Sequence, residues 1–204
     1  MLCILFSTSE EAAPFLEQHV GGRPEPLEEG RHLEIDGGIV AVTGPGKIKA
    51  TLATERVFRE NDVDLLIHAG GATSLTDDLG LGTLVAATFV LEGDRVALDT
   101  PAYPRMPLDP LSDLSTEGTL VSQDHTDDED SEERSYWERI ADMRDDTGYA
   151  VAYVAAQHGT TCHIVKGITS RVGAEEDSAK EKALQSVATF LDAHVRARTS
   201  GSSS

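Results

Sequence analysis

Residues Val40–Leu75 read VAVTGPGKIKATLATERVFRENDVDLLIHAGGATSL. Val40, Ala41 and Val42 end an apolar run of buried-strand type, and Gly44-Pro45-Gly46 breaks it. Ala50–Glu60 then carries a helical pattern with Leu52, Val57 and Phe58 on one side. Asp64–Ala69 is a second apolar strand, which Gly70-Gly71 ends. Strand, crossover helix and strand make a βαβ unit, and such units imply a mostly parallel sheet. Ligands bind such sheets at the carboxyl ends of the strands. Both glycine-rich segments fall there, so a small-ligand site is expected near Gly44–Gly46 and Gly70–Ser74. Neither segment is a known phosphate loop. A Walker loop needs glycine at 41 and a hydroxyl at 48, where the chain has Ala41 and Ile48. A dinucleotide fingerprint needs a third glycine where Lys49 stands.

Outward from this unit, Leu2–Phe6 reads as a first buried strand. Ser7-Thr8-Ser9-Glu10 has capping-box spacing, which puts Glu10 and Glu11 in the first turn of a helix running to His19. His32–Asp36 and Gly38–Thr43 flank Gly37 as a hairpin. Leu81–Glu92 reads as a long strand, Arg95–Leu98 as a short return, and Gly118–Ser122 as another strand. Asp99–Ser115 holds four prolines and reads as an irregular loop. Ser131–Met143 and Asp146–Ala156 read as helices. Thr161–Ile168 reads as a last parallel strand with Thr169–Gly173 as its end loop. Glu175–Arg198 reads as a long amphipathic helix. One domain over 1–198 and a polar, disordered tail over 199–204 are expected.

The 204 residues suit one sizeable core. Thirty-six acidic against 17 basic residues give a formal net charge of −19. That excess repels nucleic acid and anionic lipid, so neither partner is expected. With so few lysines it fits a protein adapted to high salt. The acidic run Gln123–Asp130 lacks EF-hand spacing and reads as a solvated loop. Cys3 and Cys162 lie in apolar runs without metal spacing, so buried thiols are expected, and neither a metal nor a cofactor is. The N-terminus has no basic segment before its short apolar run, so neither a signal peptide nor a membrane span is expected, and the cytoplasm is the expected compartment.

Five segments together resemble the nucleoside phosphorylase superfamily, and within it the methylthioadenosine/S-adenosylhomocysteine nucleosidases. They are LFSTSEEAAPFL, TGPGKIKATLATERVF, VDLLIHAGGATSLTDDLGLGTLV, DDTGYAVAYVAAQHG and HIVKGITSRVG, and the resemblance runs from Leu2 to about Leu191. It implies a single-domain, three-layer αβα sandwich whose central mixed β-sheet curls partly into a barrel. It also implies cleavage of the N-glycosidic bond of a purine or related nucleoside, and a homodimer. The family's water-activating glutamate falls on Glu11, its ribose-holding glutamate on Thr147, and its base-protonating aspartate on Ser170. The family's arginine before the last of these is Lys166. Gly70, Gly71 and Ala72 would line the site. Asp146 would replace the lost carboxylate by a one-residue shift, and Arg171 would polarise the leaving base. An N-terminal segment of carboxylates without arginine favours water over phosphate. Three classes stay open: a nucleoside hydrolase, a nucleoside-binding relative that has lost its acids, and a phosphorylase.

Overall fold

Alternation within the apolar runs sorts their side chains onto two faces of one sheet. In the computed structural model, which describes residues 1–21, 25–94, 104–111, 113–125, 131–172, 174–175 and 177–201, strand β1 (Leu2–Phe6) sends Cys3 and Leu5 to one face. Leu2, Ile4 and Phe6 go to the other. β3 (Gly38–Val42) divides likewise, Ile39 and Ala41 against Val40 and Val42. On the first face lie helices α2 (Lys47–Glu60) and α4 (Gly148–Gln157), which bring Ala50, Val57, Val151 and Ala155. On the second lie α1 (Ser9–Val20) and α5 (Asp177–Gly201), which bring Phe15, Leu16, Val187 and Leu191. Helix layers therefore cover both faces, as the αβα expectation requires. Phe15 is fully buried with its ring 6.1 Å from that of Phe6. Burial of one such side chain contributes about 1.5–3 kcal/mol.

Among the described residues the sheet has ten strands. β2 (His32–Ile35) and β3 form the hairpin about Gly37, whose φ of 87° suits glycine. β3, β1, β4 (Leu65–Ser74) and β9 (Thr161–Arg171) are parallel. β9 is antiparallel to β5 (Leu84–Glu92). β5 pairs with β7 (Glu117–Ser122), β7 with β8 (Met143–Asp145), and β8 returns to β4. These pairings close β4, β9, β5, β7 and β8 into a ring, the partial barrel within the mixed sheet. β6 (Arg105–Pro107) adds to β5, and β10 (Ala174–Glu175) to β9.

Several expected boundaries move, mostly because closing the ring draws more chain into strands. Gly70-Gly71 does not end β4: the strand runs to Ser74 because Gly70 and Gly71 pair with Lys166 and Gly167. Thr169–Arg171 belongs to β9 for the same reason. The expected helix Ser131–Met143 is a short helix α3 (Ser131–Trp137), and Met143 starts β8 between β7 and β4. β5 begins at Leu84 rather than Leu81. Part of the proline-rich loop is β6, and Leu111 beyond it is buried. Leu52 is 65% exposed, and α2 instead buries Ala50, Ala53, Thr54 and Val57. The tail expected from Thr199 begins inside α5. Arg95–Leu98 lies outside the described residues.

Candidate active site

The capping box at the start of α1 is shifted by one residue from the expected Ser7/Glu10. Thr8 Oγ1 accepts from Glu11 N (3.2 Å), and Glu11 Oε2 accepts from Thr8 N (3.3 Å) and Ser7 N (3.1 Å). Oε1 accepts from Gly71 N at 2.7 Å. Three backbone N–H groups thus aim the carboxylate at the β4 bulge. Gly70 permits this approach: its φ is 143°, and a Cβ there would stand 2.7 Å from Oε1. Each carboxylate oxygen offers about two acceptor sites, so Oε1 keeps one for a water or a sugar hydroxyl.

Glu11 borders a cavity of about 280 Å³ at the strand ends. Ser7, Gly71, Ala72 and Thr73 form one wall, and Thr169 and Leu184 another. Gln123, Arg144, Asp145 and Asp146 form the side toward β7 and β8, and Lys180 reaches in from α5. Asp146 Oδ2 accepts from Gly46 N at 2.9 Å, so the Gly44–Gly46 turn serves the site by holding a carboxylate. Burial first, and then the neighbouring Asp145 charge, raise the Asp146 pKa above the ordinary carboxylate value.

Beneath the cavity lies a buried polar cluster. Lys166, fully buried, donates to His68 Nε2 (2.9 Å) and lies 2.9 Å from Asp145 Oδ2. Asp145 also accepts from the Ser122 hydroxyl (2.6 Å) and Gly148 N (3.0 Å). Although burial acts to raise it, the Lys166 charge, then the neighbouring His68 and the Ser122 hydrogen bond, hold the Asp145 carboxyl far below its ordinary value. His68 Nδ1 donates to Leu5 O at 3.1 Å. Burial and then the Lys166 charge depress the imidazole, which therefore stays neutral. The Thr147 hydroxyl bridges His68 Nε2 (3.1 Å) and the Ser7 hydroxyl (2.7 Å).

Of the residues named from sequence, Glu11, Gly71, Ala72 and Asp146 line this cavity, and Gly70 stands directly behind the Glu11 carboxylate. Thr147, Ser170 and Arg171 do not converge with them. Thr147 is wholly buried in the cluster below. The Ser170 hydroxyl pairs with that of Thr73 at 2.8 Å, outside the lining. Arg171 lines a separate hollow, with its guanidinium 3.4 Å from Asp77. Asp145, Arg144, Gln123, Lys180 and His68 were missed, and Lys166, placed at the family's arginine, was given no role. The signal for the His68–Lys166 pair was a histidine and a lysine inside otherwise apolar strands, LLIHA and HIVKGI, where charge is rare unless paired.

The site thus sets a helix-borne glutamate beside the strand ends of a five-strand ring within a mixed sheet that two helix layers flank. The chain belongs to the phosphorylase superfamily, whose sequence model matches residues 2–197. Among solved structures, a futalosine hydrolase mutant of Helicobacter pylori strain 26695 is similar, with TM-score 0.77 and 24% identity over 96% of this chain and 98% of that one. The H. pylori methylthioadenosine/S-adenosylhomocysteine nucleosidase gives 0.75 and 23% over the same shares. The Neisseria meningitidis nucleosidase, bound to methylthio-immucillin-A, gives 0.71 and 21% over 98% of each chain. At these identities the likeness is one of fold. No curated protein matches the sequence.

Proposed function

We propose that the protein is a nucleoside N-ribosyl hydrolase, cleaving the bond between a purine or related base and its sugar. The observation that carries this reading is the Glu11 carboxylate, fixed by Ser7, Thr8 and Gly71 N–H groups at the mouth of a strand-end cavity with one acceptor site to spare. As the glycosidic bond breaks, its electron pair leaves with the base and positive charge develops at C1′. Water adds there and gives its proton to Glu11. Asp146 grips the sugar hydroxyls in place of the family's glutamate. The lining carboxylates Glu11, Asp145 and Asp146 outnumber the lining cations Arg144 and Lys180, which disfavours a phosphate nucleophile and favours hydrolysis over phosphorolysis. The nucleosidases and futalosine hydrolase of the same fold agree with this chemistry.

A second reading, a nucleoside-binding relative without turnover, is favoured by the engaged Ser170 hydroxyl and the buried Thr147. Incubation with purine and pyrimidine nucleosides in high salt, with and without phosphate, separates the classes. Phosphate-independent base release supports the hydrolase, phosphate-dependent release the phosphorylase, and binding without release the third class.

The same proposal includes a cytoplasmic homodimer without cofactor. Among the described residues, no helix is long and apolar enough to cross a membrane. Ile48 (76% exposed) and Leu52, one turn apart on α2, are an exposed apolar pair suited to a second copy, and Tyr153 on the adjoining α4 is exposed as well. Light scattering in high salt is expected to give twice the chain mass, and Ile48→Lys/Leu52→Lys to reduce it to one.

A further inference from the structure

A lysine buried this deeply is costly to fold around. A buried ion pair is often no more stabilising than apolar residues of the same volume, so its presence calls for another account. Lys166 stands among Val165, Ile164 and Ile168, all buried, and its partner Asp145 is the group that emerges into the cavity. His68, held by Leu5 O as a donor, has its other nitrogen turned to Lys166 and takes no share of the positive charge. The cluster therefore presents one fixed anion to the cavity, backed by one cation that no solvent reaches.

We propose that Lys166 is a positioning residue that holds Asp145 as a permanent anion in the cavity wall, where it opposes the positive charge developing on the sugar as the base departs. This rests on the hydrolase reading. The groups facing Asp145 are Lys166 of β9, His68 of β4, the Ser122 hydroxyl of β7, Glu11 of α1 and its neighbour Asp146; Arg144 and Lys180 complete the charged lining. Without Lys166, the remaining carboxylates drive a proton onto Asp145, and the wall loses its charge as the pH falls.

The test is the pH profile of base release by Lys166→Met, with Lys166→Met/Asp145→Asn as a partner that leaves no unpaired buried charge. For Lys166→Met the acid limb of kcat/KM is expected to move up by about one unit or more, with kcat at neutral pH down about tenfold or more and partly recovered at higher pH. The double variant should melt near wild type yet turn over slowly at every pH. A purely structural Lys166 would lower stability and leave the profile in place. An unmoved profile, or wild-type turnover by the double variant, overturns the proposal. A binding arm keeps it separable from the hydrolase reading: calorimetry with a hydroxypyrrolidine, cationic at the ring nitrogen, against its uncharged tetrahydrofuran counterpart. Wild type should prefer the cation, and both variants should lose that preference. If wild type releases no base from any nucleoside, the hydrolase reading falls. The cation preference and its loss in the variants would still support the charge role of Lys166, and no preference in wild type would overturn it.

Discussion

The Glu11 side chain closes its own helix cap and faces the cavity, so on the proposed mechanism one group serves both as cap and as base. Glu11→Gln is expected to retain the cap through its carbonyl and to set an amide N–H against Gly71 N–H. Leaving that donor unpaired costs about 1–3 kcal/mol, and removing the base lowers turnover about 10²–10⁴-fold. A folded Glu11→Gln protein with near-wild-type base release would remove Glu11 from the mechanism. The buried cluster has its own pH signature. A histidine depressed below its ordinary 6.5 contributes stability that is complete above that value and is lost as the pH falls through the folded value. Asp145, depressed below 3.8, adds a second loss at still lower pH. Melting temperatures from pH 7.5 to 4.5 should therefore fall on acidification, and His68→Gln should flatten that slope. An equal slope in the variant would mean that other groups set it.

At the scale of elements, the bulge in β4 matters most. The register shifts between Ala72 and Thr73, and the strand before it turns Gly71 N toward α1. Gly70→Ala should cost about 1–3 kcal/mol for its backbone conformation alone, push the Glu11 carboxylate aside and abolish base release. Thermal melts and the nucleoside assay check this, and wild-type behaviour in both would contradict the close approach. The elements themselves were largely legible: β1 and β3 follow from continuous apolar runs buried on both faces, and α2 and α5 from period-3.6 patterns. What the sequence could not show was strand extension by pairing. Glycine ends a strand by local preference, yet β9 supplies partners past Gly70-Gly71, and tertiary hydrogen bonds override that preference. The site was half legible for a related reason. Glu11, Gly71, Ala72 and Asp146 were reachable by motif. Assigning roles by motif position alone misplaced Ser170 and Arg171, whose side chains turn to Thr73 and Asp77. Asp145 needed the fold, because only the ring brings β8 beside β9's lysine.

At the scale of the molecule, the net charge of −19 sets the response to salt. Two electrostatic effects compete as ionic strength rises. Exposed pairs such as Lys49–Glu29 and Arg134–Glu138 are screened, but each is worth only about 0–1 kcal/mol, so little is lost. Repulsion among the excess carboxylates acts over distances comparable to the Debye length, about 10 Å at 0.1 M salt and about 3 Å at 1 M, so most of it disappears. The Lys166–Asp145 pair, buried away from solvent ions, is touched by neither effect. Relief of repulsion therefore wins, and the denaturation midpoint should rise between dilute buffer and molar potassium chloride. Sucrose at matched osmolality separates screening from exclusion of cosolute at the surface, since it carries no charge. A midpoint that stays level or falls in potassium chloride would end the high-salt reading, and one that rises equally in sucrose would assign the gain to exclusion rather than to charge.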